Sequence, residues 1–371
     1  METKFLHLGD IHIRDESFEE IWNCMGEIVR VAEKEKPDFT IIAGDLWDSK
    51  IFIHRRCIDA VAMWLDNLSK HGPVYMIYGT PSHDIPGSLD IFGRVHSHNP
   101  IHVIKQTIIL SIDNKALLGL YPHQNIPSQK SVEETVAFRR KTIQKEINTI
   151  YDTLNKEDPN HSVPHIFVGH LAIDGCVIPI GTDGFEASPD VLLKFDYAAL
   201  GHVHPKDQKL PMNVQYSGAL WHTDIADMQP KGFFVVTLNT HEPKLQKTFY
   251  NAGSHPVVRF DTRFGENGIP LPDPDAIKDA RVRLTVYVPS SLRRIFDVDK
   301  ISKEILDRGA FDVKIVPRVL SDSIEVVDFG YTRKTVAGDW MGKFKAYCDA
   351  SEIEVTQGMI DKTEAVIKEV G

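Results

Sequence analysis

Asp10 and His12 stand two residues apart directly after the apolar run Lys4 to Leu8. Alternate residues of an extended segment point to one side, so the pair can address one cation. The same ligand types recur at the ends of four later apolar runs: Gly44-Asp45, Ser82-His83-Asp84, Gly169-His170 and Gly201-His202-Val203-His204. A lone histidine is most often a satisfied structural or exposed residue, so no single stretch carries weight. Five stretches in one chain, each at the exit of a strand, predict one site for two metal ions.

Two divalent cations about 3.5 to 4 Å apart lower the pKa of a shared water and neutralise charge on phosphoryl oxygens during in-line attack. Such a pair needs a bridging carboxylate, and Asp45 is the natural choice. The expected assignment gives the first ion Asp10, His12, Asp45 and His204. It gives the second Asp45, His170 and His202, with a ligand from the Ser82 loop. Mixed nitrogen and oxygen ligands suit manganese, iron or zinc better than magnesium, and phosphate chemistry favours manganese. His83 is the remaining imidazole, expected to stabilise the transition state or protonate the leaving oxygen. Asp84 is expected to orient His83 or its loop. His7, His123 and His222 fall outside the pattern and read as structural or exposed.

The elements that must position these residues can be read in order. Ser17 to Lys34 spaces Ile21, Met25, Ile28, Val29 and Val31 as a helix closed by Pro37, and Ile58 to Leu68 repeats the pattern. Asp38 to Ala43 and Pro73 to Tyr78 read as strands, so the chain opens as an α/β core with parallel neighbours. Val103 to Ile112 and Ala116 to Tyr121 flank a turn at Asp113-Asn114-Lys115. Val132 to Leu154 follows as a long, mostly exposed helix. His165 to Val168 and Tyr197 to Leu200 deliver the last two histidine motifs, and Val214 to Ser217, Phe233 to Leu238 and Leu245 to Tyr250 are expected to complete a second set of strands. The fold expected is α/β, a two-layer mixed β-sheet sandwich flanked by helices with a smaller α+β domain. The Gly- and Pro-rich stretch 265–274 divides residues 1–264 from a small β-α-β domain, 275–330. Residues 331–371 are expected to form a C-terminal helical segment whose apolar stripe, in Ser351 to Val370, has no further element in the sequence to cover it, the alternative being that it docks back on its own domain.

Composition bounds the partners. At 371 residues with 42% hydrophobic content the chain can bury a sizeable core. Its 42 Lys and Arg against 52 Asp and Glu make it acidic, so binding a phosphate backbone needs local basic clusters or a partner. Four scattered cysteines suggest neither a zinc knuckle nor a disulfide framework. With no signal-like or bilayer-length apolar run, a cytoplasmic protein without membrane contact is expected.

Asp10-Ile11-His12, Gly44-Asp45, His83-Asp84, Gly169-His170 and Gly201-His202-Val203-His204 together resemble the calcineurin-like metallophosphoesterase superfamily. Its motifs run D-x-H, G-D, G-N-H-(D/E), G-H and G-H-x-H in this order. Within it the chain looks most like the SbcD-type nuclease subunit of DNA double-strand-break repair complexes. Three features carry that likeness: Gly44-Asp45-Leu46-Trp47-Asp48-Ser49, the run Phe195 to Leu200, and Ser217-Gly218 followed by Lys231-Gly232-Phe233. The resemblance implies a manganese-dependent 3′-to-5′ exonuclease and endonuclease acting on DNA, with the small domain capping the site. It also implies a homodimer and an SbcC-like ABC-type ATPase partner on which the C-terminal segment docks. Two departures stand out, one being Asp48, where some relatives carry a histidine near the substrate and SbcD-like members often have Asp, and the other the third motif. Gly79-Thr80-Pro81-Ser82-His83-Asp84 lacks the family's Asn; Ser82 stands before His83 in its place, and Thr80 or water are the alternatives for the second ion's shell. Rival readings are a small-substrate phosphodiesterase of the same superfamily and a catalytically weak scaffold for DNA ends or the ATPase.

Overall fold

The structure, a computed structural model, describes residues 2–48, 53–177, 185–239 and 244–320. The helix expected in Ser351 to Val370, the whole of 331–371 and the end of the small domain, 321–330, lie outside the described residues.

The chain opens with β1 (Glu2–Leu8), α1 (Phe18–Glu35), β2 (Phe39–Ala43), α2 (Arg55–Ser69), β3 (Val74–Ile77) and β4 (Ile101–Ile104), and these four strands pair in parallel. The helices are the crossovers that parallel pairing requires. α1 buries Ile21, Cys24, Met25, Ile28, Val31 and Ala32 along one stripe. It stops where Lys36 turns left-handed at φ 50° and donates its N–H to the Ala32 carbonyl at 2.9 Å. α2 buries Cys57, Val61, Trp64, Leu65 and Leu68. Both stripes pack under the sheet against Leu6, Leu8, Ile42 and Met76, so these apolar faces are covered within the chain.

The second layer begins with a hairpin of β5 (Ile108–Ile112) and β6 (Ala116–Tyr121) turning at Asn114, φ 51°. α3 (Val132–Glu157) starts at Ser131, whose hydroxyl accepts the Glu134 N–H at 3.1 Å, a helix-start cap. β7 (His165–His170), β8 (Tyr197–Gly201) and β9 (Val214–Tyr216) then run parallel from β6 onward. Ile143, Ile147, Ile150 and Leu154 of α3 cover the outer face of this five-stranded sheet.

β10 (Gly232–Asn239) and β11 (Lys244–Asn251) depart from expectation. They extend the first sheet, not the second, in the order β11-β10-β1-β2-β3-β4, with β10 antiparallel to β1. β10 is apolar on both faces and nearly all buried, so it fits beside the equally buried β1, where an amphipathic strand would not.

The core lies where the sheets face each other. Side-chain alternation sends Leu6 and Leu8 outward to the helices and Phe5 inward. There Phe5, Phe39, Ile41 and Ile77 meet Leu118, Ile166, Val168 and Ala199. His7 shares the inner face, accepting from the Tyr197 hydroxyl at 2.9 Å and donating to the Leu200 carbonyl at 3.2 Å. Burial pulls its pKa down to about 3, so it is neutral there.

β12 (Val257–Arg263), α4 (Pro274–Ile277), β13 (Arg281–Pro289), α5 (Val298–Asp307) and β14 (Asp312–Leu320) make a three-stranded sheet with its own core of Val282, Leu284, Val286, Val288, Ile301 and Ile305. β12 pairs in parallel with β13, across the 265–274 stretch read as a boundary. Arg281 pairs with Glu20 of α1, and Glu20 also accepts the His255 N–H at 3.0 Å. Among the described residues no helix is long and apolar enough to cross a membrane.

Candidate metal centre

In parallel sheets ligand sites form beyond the carboxyl ends of the strands. Here the ends of β1, β2 and β3 in one layer and of β7 and β8 in the other are stitched together by their own backbone. Asp10 N–H donates to the Gly44 carbonyl at 3.1 Å, and the Ile11 and His12 N–H groups both donate to the Asp45 carbonyl at 2.9 and 3.1 Å. His170 Nδ1 donates across the layers to the Ala43 carbonyl at 2.7 Å, leaving Nε2 to face inward. The Asp10 carboxylate accepts the His202 N–H at 2.9 and 3.0 Å.

These contacts gather the expected ligands into two groups, Asp10 with His12 and His204, and Asp45 with His170 and His202. His12 Nε2 and His204 Nε2 approach to 2.9 Å, so the two ring nitrogens face each other. Asp45 Oδ2 lies 3.9 Å from His12 Nε2 and 3.2 Å from His170 Nε2, so this carboxylate stands between the groups. His204 is held from behind, Nδ1 to the Thr223 hydroxyl at 3.1 Å. Thr223 carries no motif, and nothing in the sequence marked it.

The backbone is bent to deliver these side chains. Asp10, His12, Asp45 and His202 hold φ of 49°, 48°, 50° and 94°, the left-handed region that costs a non-glycine residue on the order of 1 to 3 kcal/mol. Gly79 is needed for close approach, since a Cβ there would sit 2.1 Å from Asp45 Oδ1.

Asp84 is buried and accepts three backbone N–H groups, from Leu46 (3.0 Å), Trp47 (3.2 Å) and Gly79 (2.8 Å). It therefore pins the Asp45 loop to the Gly79 loop. His83 sits edge-on to His12, ring centroids 4.6 Å apart, and donates from Nδ1 to the Asp48 carbonyl at 2.8 Å. With Asp48 and His12 it forms a third group of ligand type. Ser82, expected in the second ion's shell, is exposed. The hydroxyl at the carboxylate is that of Thr80, 2.9 Å from Asp45 Oδ1 and 3.2 Å from Oδ2, with its N–H donating to Oδ1 at 2.7 Å. The Thr80 carbonyl accepts from the N–H groups of His83 and Asp84 at 2.9 and 2.8 Å. This closes a tight turn that throws Pro81-Ser82 outward.

The electrostatics fit a cation. Burial, then the neighbouring Asp45 charge, raises Asp10 to about 7 against the pull of His170. Asp45, though burial opposes it, is held well below the usual carboxylate range by His170, His12 and His83. Burial lowers His170, yet the Asp45 and Asp10 carboxylates win and lift it to about 10, so His170 gives up a proton on binding a metal. Burial keeps His202 near 3 and His204 near 4, neutral and ready to ligate. His170 Nε2 is buried without an aligned hydrogen-bond partner, as a ligand nitrogen would be. The donor set, imidazole nitrogens with carboxylates, suits divalent transition ions.

His123, set aside in the sequence, lies beside this centre, its ring centroid 6.3 Å from that of His170. Burial and the His170 charge lower it to about 4.

The family model for calcineurin-like phosphoesterases matches residues 3–206. The SbcD component of the nuclease SbcCD from Staphylococcus epidermidis is 26% identical over 262 residues, 67% of this chain and 68% of that protein. Its counterpart in Staphylococcus saprophyticus is 24% identical over 255 residues, covering 65% of this chain and 66% of that protein. Among solved structures, a dimetal phosphatase from Danio rerio overlaps 68% of this chain and 97% of its own at a TM-score of 0.43 and 12% identity. The ligand groups at the strand ends and the family match over residues 3–206 make this a metal-dependent hydrolase of phosphoester bonds, and the chain belongs to the calcineurin-like phosphoesterase family.

Proposed function

We propose that the chain is the nuclease subunit of an SbcCD-like DNA repair or recombination complex, a manganese-dependent 3′-to-5′ exonuclease and endonuclease. The observation that carries the reading is the single carboxylate, Asp45, standing between two histidine-bearing ligand groups. The names of the two staphylococcal relatives support the nuclease assignment and an SbcC-type ATPase as partner. The same reading includes a homodimer.

Asp10, His12, Asp45 and His204 would hold one ion, and Asp45, His170 and His202 the other. Ions bound there would lower the pKa of a water and neutralise charge on the phosphoryl oxygens. The chain's own residues do the rest. Asp84 fixes the two loops that carry Asp45 and Thr80, and His83 would handle the proton of the leaving oxygen. In the small three-stranded sheet, Arg259 and Arg283 are register partners and Arg263 pairs with Tyr287, which puts three guanidiniums and a ring on one sheet face around a single carboxylate, Asp261. β14 adds exposed Lys314 and Arg318. On a chain of net charge −10 this is a local attraction for a phosphate backbone.

End-labelled linear duplex and single-stranded DNA with added manganese test the assignment. Shortening from the 3′ end is the expected result. Hydrolysis of a chromogenic phosphodiester without any DNA cleavage would replace it with a small-substrate enzyme.

Thr80, not Ser82, is the ligand we assign to the second ion's shell. Thr80→Val, which keeps the shape and removes the hydroxyl, should weaken the second manganese by about 10- to 100-fold. Ser82→Ala should stay within about twofold of wild type. Manganese titration followed by calorimetry separates the two, and equal effects from both variants would reverse the assignment.

A further inference from the structure

We infer that Asp48, held by Arg14, is a positioning residue for the metal ligand His12. This rests on the two-ion reading above and concerns a side chain that no ligand group of that reading uses. The backbone brings the parts together. The His12 loop and the Asp45 loop pair through an isolated parallel bridge between Ile13 and Trp47. Ile13 N–H donates to the Leu46 carbonyl at 2.8 Å, and Asp48 N–H donates back to the Ile13 carbonyl at 3.2 Å. That pairing sets the Asp48 side chain between His12 and Arg14.

His12 points Nε2 at His204 and Asp45, which leaves Nδ1 for orientation. This nitrogen is buried and has no hydrogen-bond partner. Asp48 Oδ1 is 3.7 Å away, a short closure from a carboxylate–imidazole bond of the kind that fixes ring angle and tautomer in metal sites. Its other oxygen faces Arg14, with Oδ2 and the guanidinium nitrogen 3.6 Å apart. Arg14 is fixed in turn: Nε donates to the Ser17 hydroxyl at 3.2 Å, and the guanidinium lies 4.4 Å from the centre of the Trp221 ring. Trp221 is itself fully buried and donates from Nε1 to the Ile11 carbonyl at 2.9 Å, beside His12.

The competing account is an ordinary ion pair. The side chains of Arg14 and Asp48 are 33% and 26% exposed, and such a pair alone contributes little to folding. The two accounts differ in what manganese reports. Three variants of the full chain, Asp48→Asn, Arg14→Gln and Arg14→Lys, would be titrated with manganese by calorimetry, with melting temperatures recorded without added metal. Asp48→Asn should weaken one of the two manganese sites by about 10- to 100-fold while leaving the other and the metal-free melting temperature in place. Arg14→Gln should shift the same site in the same direction by a smaller factor, and Arg14→Lys should restore most of it. Wild-type affinity at both sites in Asp48→Asn, or equal weakening of both, would overturn the inference alone. A wild-type chain that binds fewer than two manganese ions would overturn the two-ion reading and this inference with it.

Discussion

Replacing Asp45 with alanine should abolish turnover, with a loss of about a thousandfold or more and a manganese stoichiometry that falls below two. Asp45 supplies the carboxylate of the group formed with His170 and His202, and it also lies 3.9 Å from His12 Nε2 of the other group. Removing it takes an anion from both groups at once, and Asp10 remains the one carboxylate of the two groups. Losing charge neutralisation at a transferring phosphoryl group is worth several kcal/mol, and about 4 kcal/mol corresponds to a thousandfold in rate. Asp45→Asn is the sharper variant, because an amide oxygen can still accept from the Thr80 N–H and hydroxyl. Its fold should survive while activity on a chromogenic phosphodiester is lost as fully as in the alanine variant. Activity within tenfold of wild type in Asp45→Asn would mean that the negative charge between the groups does not carry catalysis.

The ligand types were legible because strand ends are legible. An apolar run that stops at Gly-Asp or Gly-His gives both the element and the residue it delivers, and parallel pairing puts all such ends on one side. Sheet membership was not legible to the same degree. β9 and β10 both carry buried apolar side chains, and nothing in either run says which layer it joins; β10 goes to β1 through a register that only the folded chain reveals. The Thr80 and Ser82 question is similar. Counting back from His83 selects Ser82, whereas counting forward from Gly79 selects Thr80, and the turn closed on the Thr80 carbonyl sets the Thr80 hydroxyl beside Asp45.

Other features lay below the reach of sequence patterns for a physical reason. Asp84 was tied by adjacency to His83, yet its oxygens are taken by N–H groups from loops at residues 46, 47 and 79. Backbone donors have no sequence signature. The Thr223 hydroxyl behind His204 and the Asp48 side chain beside His12 are likewise set by chain approach, not by local spacing. The left-handed conformation at Asp10, His12, Asp45 and His202 adds a signal visible only in three dimensions, since four of the eight described non-glycine residues with positive φ lie at this one centre.

His83→Ala should lower kcat by about 10²- to 10⁴-fold while both manganese ions still bind. His83 stands outside the groups around Asp10 and Asp45, with its ring edge against His12 and its Nδ1 committed to the Asp48 carbonyl. That bond fixes the tautomer, because a carbonyl can only accept, and it leaves Nε2 to exchange a proton. Two roles are open to such a ring: protonating the leaving oxygen, or stabilising charge on the other phosphoryl oxygens. They separate by leaving group. A nitrophenolate departs without help, whereas the alkoxide released from a DNA strand needs a proton. If His83 is the acid, the variant should lose far more activity on DNA than on a nitrophenyl phosphodiester, and the difference should persist at saturating manganese. An equal loss on both substrates would assign the ring to charge stabilisation instead, and unchanged turnover on DNA with both ions bound would remove His83 from the chemistry altogether.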